Sequence, residues 1–242
     1  MKLYHYTSLE SFSKIWISHS LLFSNSNRTN DVFESKKILS IGDCRIPYNG
    51  ETSNLEVQGH FNKLFWKEVN KYGQISLIQD YKDGIKGYAS PMMWGHYAQK
   101  GKGVCIELDF EKIQIPPNGC IHKAIEYTDK VPIIELNNGV DLHTRKLIQD
   151  YIKENLDTIF FKKHVHWEHE NEYRIISDIY SSLNIKEAIT NIYMPYQSEN
   201  TEYKIIEKLL EGSKVDIKEI TTYGSSFRKI SAFNFKKWSK KM

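Results

Sequence analysis

The sequence predicts an α+β fold, a single domain over residues 1–242 with a mixed sheet and flanking helices. Two observations lead to this prediction. Segments with the periodicity of strands and of helices follow one another without the strict alternation of a parallel α/β sheet. Neither an internal repeat nor a linker rich in Pro, Gly or Ser divides the 242 residues, a length that suits one large domain.

The composition is that of a folded protein with little net charge. The 33 Lys and Arg exceed the 30 Asp and Glu by three, which gives too weak a field for a dedicated nucleic-acid coat. Three cysteines without a CxxC spacing argue against a disulfide framework and favour a reducing compartment. The polar amino terminus does not resemble a signal peptide, and no apolar run approaches the roughly 18 residues of a membrane span. We therefore expect a cytoplasmic protein with no membrane partner.

The first 23 residues predict a strand, a helix and a second strand. Residues Leu3–Thr7 alternate with the period of a strand. Thr7 and Glu10 form a T-x-x-E capping box, in which the hydroxyl and the carboxylate satisfy free amides at the start of a helix. Leu21–Phe23 is a short apolar run typical of a strand.

Helical and strand-like segments then continue to the end of the chain. Ser90 before Pro91 predicts the start of a helix, and Gly212 predicts the end of another. The predicted helices cover residues 31–39, 61–69, 91–98, 141–161 and 199–211, and the predicted strands cover residues 75–78, 104–108, 121–127, 173–179, 188–194, 215–220 and 230–235.

Four short segments carry the polar residues that most need an explanation. They are His5–Thr7, Asn30–Glu34, Met93–Tyr97 and Glu170–Arg174. Taken singly, each is better explained by structure: a hydrogen-bonded strand histidine, a helix cap at Asp31 and Glu34, a helix that buries Trp94 and Tyr97 and leaves His96 in solvent. Glu172 and Arg174 would form a surface ion pair worth a few tenths of a kcal/mol.

A fifth segment, residues 164–169, contains three histidines. His164 and His166 share a face only on a strand, and His169 then lies off that face. The H-E-x-x-H spacing of a zinc helix is absent and no cysteine is near. We therefore expect no metal site in this segment.

Taken together, the four segments resemble a bacterial family of unknown function, number twenty-nine seventy-one. That family combines an opening L-Y-x-Y/H-Y-T strand with N-D-x-F-E, then M-W-x-H-Y-A before a G-x-C-I strand, and then E-x-E-W/Y-R. The corresponding residues here begin at Leu3, Asn30, Met93, Gly103 and Glu170, and the resemblance extends over nearly the whole chain.

The opening H-x-T strand, capped helix and apolar strand also resemble ADP-ribosyltransferase folds, including the DarT-like group. This resemblance implies an ADP-ribosyltransferase-like mixed sheet and NAD as the substrate. It implies that His5 holds the adenosine-side ribose, that Tyr97, with Trp94 behind it, packs on nicotinamide, and that Glu172 or Glu170 contacts the nicotinamide ribose. The further residues expected near NAD are Tyr6, Thr7, Asn30, Asp31 and His96, together with Arg174, which would pair with the pyrophosphate or hold Glu172.

Three hypotheses for function remain open at this point. The first is transfer or release of ADP-ribose to protein, nucleic acid or water, which suits a role in bacterial defence or toxicity. The second is a non-enzymatic sensor or interaction domain that binds a small ligand. The third is a metal-dependent nuclease that uses Asp31, Glu34, Glu170 and the histidines. The first requires His5, Tyr97 and Glu172 to converge on one cleft.

Overall fold

The computed structural model describes residues 1–25, 54–130, 145–195, 200–222 and 230–234. Its helices are α1 (Leu9–Ser18), α2 (Asn54–Val69), α3 (Pro91–Tyr97), α4 (Arg145–Glu154), α5 (Leu156–Phe160) and α6 (Asn200–Leu209). Its strands are β1 (Lys2–Thr7), β2 (Ser20–Leu22), β3 (Ser24–Asn25), β4 (Gly73–Gln79), β5 (Val104–Asp109), β6 (Cys120–Ala124), β7 (Glu126–Thr128), β8 (Lys162–His164), β9 (Glu172–Ser177), β10 (Ser182–Asn184), β11 (Ile189–Pro195), β12 (Asp216–Thr222) and β13 (Ile230–Asn234).

Most of the strands form one mixed sheet in the order β13-β12-β11-β5-β1-β4-β9-β6, and β3 also pairs with β4. Strands β11 and β12 are parallel, whereas the other neighbours in this sheet are antiparallel. Two small sheets, β2 with β10 and β7 with β8, lie beside it. The predicted α+β class, with a mixed sheet and flanking helices, is confirmed.

The sheet is weakly joined between β1 and β4. These strands pair only at Leu3 with Gln79 and at Tyr4 with Ile78. By contrast, β1 pairs with β5 along its whole length, and β4 pairs with β9 over six positions. Beyond Tyr4, β1 and β4 therefore diverge. We call the opening between residues 5–7 of β1 and residues 74–76 of β4 the β1–β4 seam.

Apolar side chains pack on both faces of the sheet. Ile175 and Ile176 are neighbours on β9 and point to opposite faces, and each is buried in a different cluster. The first cluster, under α1 and α6, includes Leu3, Phe12, Leu77, Ile106 and Ile206. The second, under α2, α4 and α5, includes Phe65, Ile148 and Phe160. The first cluster contains residues of both β1 and β4, so apolar packing continues across the seam.

The predicted N-cap of α3 is correct, whereas the predicted N-cap of α1 lies one residue too early. Ser90 is the N-cap of α3, and its Oγ accepts a hydrogen bond from the Met93 N–H at 3.4 Å. At α1 the expected cap was wrong by one residue, because Ser8 and not Thr7 is the N-cap. Ser8 Oγ accepts from the Ser11 N–H at 3.0 Å, while Thr7 is still part of β1.

Two long predicted elements are each divided in the structure. The strand expected over 121–127 is interrupted at Ile125, which separates β6 from β7. The helix expected over 141–161 breaks at Asn155, whose Nδ2 donates to the Tyr151 carbonyl at 2.9 Å and ends α4. Residues 141–144 and the helix predicted over 31–39 lie outside the described residues.

Candidate active site

The β1–β4 seam opens into a cavity of about 590 Å³, within the range of small-molecule and cofactor sites. Strands β1 and β4 form its two long walls, and α1, β2 and α3 contribute further sides. The separation of β1 from β4 exposes side chains that a paired strand would cover. Ser76 lies in the interior of β4 between buried neighbours, yet its side chain is exposed. Polar residues of a central strand thus gain access to a ligand because the neighbouring strand turns away.

His5 lies on the β1 wall of this cavity. Its side chain keeps part of its exposure, but the surrounding protein nevertheless controls its protonation. Burial lowers the pKa of His5 to about 4, an effect partly opposed by a hydrogen bond with the Ser76 backbone. The imidazole is therefore neutral at neutral pH. Because its one N–H is used in the bond to the Ser76 backbone, the other ring nitrogen can accept a hydrogen bond from a ligand hydroxyl.

Tyr97 brings an aromatic ring and a hydroxyl to the cavity from the last position of α3. Met93, four residues earlier, lines the cavity from the same helix face. The Tyr97 hydroxyl donates to Glu170 Oε1 at 2.5 Å. This bond fixes the ring next to the carboxylate, although the two residues are 73 positions apart.

Trp94 and His96 do not line the cavity. Trp94 is buried, its Nε1–H donates to the Tyr88 carbonyl at 2.8 Å, and its ring packs edge-on against Tyr6 at 5.1 Å. It therefore supports the β1 wall from behind. His96 is exposed on the outer side of α3, so the expected direct contact of His96 with a ligand is not supported by its position.

Tyr6 and Thr7 border the cavity as part of β1. The Tyr6 hydroxyl donates to the Gly87 carbonyl at 2.6 Å and is buried. Gly103 runs so close to the backbone of Thr7 that a Cβ at this position would collide with the Thr7 carbonyl oxygen, which explains the glycine before β5. Asn30 and Asp31 lie outside the described residues.

Four charged side chains, Lys163, Glu170, Glu172 and Arg174, form a buried group that we call the carboxylate cluster. Lys163 Nζ contacts Glu170 Oε2 at 2.6 Å and Glu172 Oε2 at 2.7 Å. The Arg174 guanidinium donates to both oxygens of Glu172, at 2.7 Å from Nε and 2.9 Å from Nη2. With two cations and two carboxylates, the cluster is close to neutral overall.

The expected surface ion pair between Glu172 and Arg174 is wrong, because these side chains are 1% and 0% exposed. Strand β9 lies between β4 and β6, and Arg174 Nη1 donates to the Phe160 carbonyl of α5 at 2.6 Å. Arg174 does not line the cavity. Its position fits the expectation that it holds Glu172 and does not favour pairing with a pyrophosphate.

Glu172 remains ionised despite its burial. Burial by itself raises the pKa of this carboxyl group, but the charges of Arg174 and Lys163 and the hydrogen bonds from them lower it by more. The net result is a pKa well below the ordinary range. The Glu172 backbone N–H donates to the Tyr127 hydroxyl at 2.8 Å, so both the main chain and the side chain of this residue are held in place.

No signal in the sequence indicated a functional role for Lys163 or Tyr127. Lys163 lies on β8, which has three residues, and so short a strand leaves no periodicity to detect. The repeated Lys-Lys before His164 reads as a solvated charge run. Tyr127 was placed in a predicted strand, but its hydroxyl contact with β9 depends on the tertiary fold.

The histidine segment continues into Glu170 on a 3₁₀ helix, Val165–Glu170. The His164 and His166 rings meet edge to face at 4.4 Å. Within the described ranges, no group of three or more His, Cys, Asp or Glu side chains is arranged to hold a metal ion. The oxygens of Glu170 are bonded to Lys163 and Tyr97, and Asp31 and Glu34 lie outside the described residues.

Among the residues that the structure describes, no helix has the length and apolar character needed to cross a membrane.

Comparisons with known proteins give two findings. Residues 93–175, which include Tyr97 and the whole carboxylate cluster, match the sequence model of a protein family of unknown function, DUF2971. Among solved structures, the chain is similar to DarT from Thermus sp. 2.9 in complex with ADP-ribosylated single-stranded DNA, with 11% sequence identity and a TM-score of 0.35 over 89% of this chain and 93% of that chain. A comparison with curated proteins found no match. Both groups are those that the sequence motifs resemble.

Proposed function

We propose that the protein binds NAD in the seam cavity and transfers or releases its ADP-ribose. One observation carries this proposal: His5, Tyr97, Glu170 and Glu172, from three distant parts of the chain, line the same cavity. These are the residue types that the resemblance to ADP-ribosyltransferases assigns to ribose, nicotinamide and the reacting sugar. Protein, nucleic acid and water are the candidate acceptors.

The chemistry suits an ionised carboxylate beside the sugar. When the bond between nicotinamide and ribose breaks, nicotinamide leaves with the bonding electrons and positive charge develops on the ribose. An oxygen or nitrogen of the acceptor then bonds to the anomeric carbon and loses its proton. A fixed negative charge near the sugar stabilises the transition state more than the ground state.

Of the two carboxylates, Glu170 is the better placed for this role. Glu172 is bonded by Arg174 through both oxygens and also contacts Lys163, so two cations offset its charge. In the described part of the chain, Glu170 contacts the Lys163 ammonium, and its other oxygen accepts from the neutral Tyr97 hydroxyl. We therefore assign charge stabilisation to Glu170 and its positioning to Glu172, which reverses the order of preference given by the sequence.

Tyr97 and His5 supply binding and orientation. The Tyr97 ring offers a flat apolar surface beside Glu170, where an aromatic ring of the substrate can pack. The neutral His5 on the β1 wall can accept a hydrogen bond from a ribose hydroxyl through its unprotonated ring nitrogen, without a change of protonation. Binding at two walls fixes the reacting bond relative to the carboxylates.

The proposal is tested by incubating the protein with NAD labelled in the nicotinamide ring or in the adenylate part. Released nicotinamide, with adenylate label in ADP-ribose or on a macromolecule, is the expected result. His5→Asn should abolish most of this activity, whereas His122→Asn, an exposed strand histidine bonded to Tyr173 outside the cavity, should not. Binding of NAD without any nicotinamide release would favour the small-ligand module instead.

NAD affinity should depend little on pH between 5.5 and 8.5. Because burial lowers the pKa of His5 to about 4, the imidazole is neutral throughout this range and gains charge only in more acidic solution. The dissociation constant from calorimetric titration should change by less than about twofold. A tenfold change centred between pH 6 and 7 would show that His5 titrates normally and would contradict this assignment.

A further inference from the structure

We infer that Lys163 is a positioning residue that holds Glu170 and Glu172 as two separate, fixed carboxylates by bridging them with one buried ammonium group. The inference concerns the arrangement of these three side chains. Its catalytic consequence rests on the function proposed above, whereas its electrostatic consequence can be measured without NAD.

The geometry requires a bridge. Glu170 Oε2 and Glu172 Oε2 both contact the same nitrogen, at 2.6 and 2.7 Å, so these oxygens are at most about 5.3 Å apart. All three side chains are buried. Two carboxylates this close in a protein interior cannot both stay ionised without a neighbouring cation, and one of them takes up a proton.

Arg174 does not replace Lys163 in this task. Among the described residues, the ammonium contacts Glu170 on the 3₁₀ helix and Glu172 on β9, and Tyr127 on β7 is near it. Arg174 on β9 and Tyr97 on α3 adjoin it through these two carboxylates. Arg174 is bonded to Glu172 and to the Phe160 carbonyl, whereas Glu170 is bonded to Lys163 and Tyr97. Removing the ammonium would leave one carboxylate in excess.

The direction of the pH effect follows from this excess charge. In a Lys163→Met protein the extra carboxylate would be protonated more readily in the folded state than in the unfolded chain. Falling pH would therefore reduce the loss of stability that the substitution causes. In the wild type the pKa of Glu172 is depressed, so its contribution stays complete between pH 8 and pH 5 and is lost only in more acidic solution. The difference in stability between the two proteins is therefore largest at high pH and narrows on acidification.

The test compares melting temperatures of the wild type, Lys163→Met and Lys162→Met between pH 5 and 8. Lys162 is the matched control, since it is the adjacent lysine on β8, is partly exposed, and its Nζ is 3.7 Å from the exposed Glu126 carboxylate. The amount by which Lys163→Met lowers the melting temperature relative to the wild type should shrink by at least about half from pH 8 to pH 5. Any lowering by Lys162→Met should stay constant over the same range. A deficit of Lys163→Met that does not vary with pH would overturn the inference.

A second variant covers the case in which Lys163→Met does not fold. Lys163→Met combined with Glu170→Gln removes one cation and one anion. This double variant should melt at a higher temperature than Lys163→Met alone, or fold where Lys163→Met does not. A double variant no more stable than Lys163→Met would show that the lysine acts through packing and would overturn the inference.

Lys163→Arg keeps the charge and should restore turnover in part, with the acid limb of the pH–rate profile near that of the wild type. Loss of all turnover with an unchanged melting profile would overturn the bridging role of the charge. Absence of NAD turnover in the wild type would refute the proposed function alone, because the melting experiments decide the inference about Lys163 independently.

Discussion

Glu172→Gln is expected to lower the free energy of unfolding by about 3–5 kcal/mol, as is typical when one partner of a buried ion pair is removed. The amide keeps the shape of the side chain, but it removes the negative charge that the buried Arg174 and Lys163 both contact. Such a loss is a large part of the 5–15 kcal/mol by which domains are usually stable. Urea unfolding at pH 7, followed by circular dichroism, measures it.

The matched control is Glu126→Gln, because Glu126 also pairs with a lysine but is 67% exposed. This substitution should cost less than about 1 kcal/mol. The pKa of Glu172 is depressed in the folded protein, so its contribution is complete above the ordinary carboxyl value of 4.5 and is lost as the pH falls. Equal urea midpoints for wild type and Glu172→Gln at pH 7 would contradict the buried pair.

Glu170→Gln is expected to reduce turnover of NAD by roughly 10²–10³-fold, the effect of losing one preorganised electrostatic stabiliser. NAD affinity should change little, because the amide keeps the shape and the hydrogen bond from Tyr97. The stability loss should be smaller than for Glu172→Gln, since Lys163 retains its contact with Glu172. Nicotinamide release under saturating NAD and calorimetric titration separate these effects.

Glu168→Gln is the control for Glu170→Gln, because it makes the same chemical change at an exposed position of the same 3₁₀ helix. It should leave turnover near the wild-type rate. If Glu170→Gln were as active as the wild type while a folded Glu172→Gln protein lost turnover, charge stabilisation would return to Glu172, as the E-x-E resemblance first implied.

Local sequence signals predicted the parts of the fold that depend on local chemistry. The alternation of residues 3–7 and the Ser90–Pro91 pair gave β1 and the start of α3 because periodicity and capping are properties of neighbouring residues. Spacing also placed Glu172 and Arg174 on one face of a strand. Spacing does not reveal what covers that face, and α5 covers it here, which turned an expected surface pair into a buried one.

The site depends on information that no short segment contains. The seam results from the register of β1 and β4, which pair at only two positions, and register depends on residues far apart in the chain. Lys163 reaches the carboxylate cluster from β8, a strand of three residues. The sequence thus indicated His5, Tyr97 and the two glutamates, while the bridge between the glutamates and the opening beside His5 required the structure.

The seam also has a mechanical consequence. His5 and Thr7 belong to the part of the sheet that ends at β1, whereas Glu172 and Arg174 of the carboxylate cluster lie on β9, in the part that also contains β4. Two ladder positions, the hydrogen bond between the His5 ring and the Ser76 backbone, and the apolar packing of residues such as Leu3 and Leu77 join these parts. Packed side chains permit small shear displacements that a continuous hydrogen-bond ladder resists. The width of the cavity can therefore adjust, or change in evolution, while the strand pairings that hold each wall stay intact.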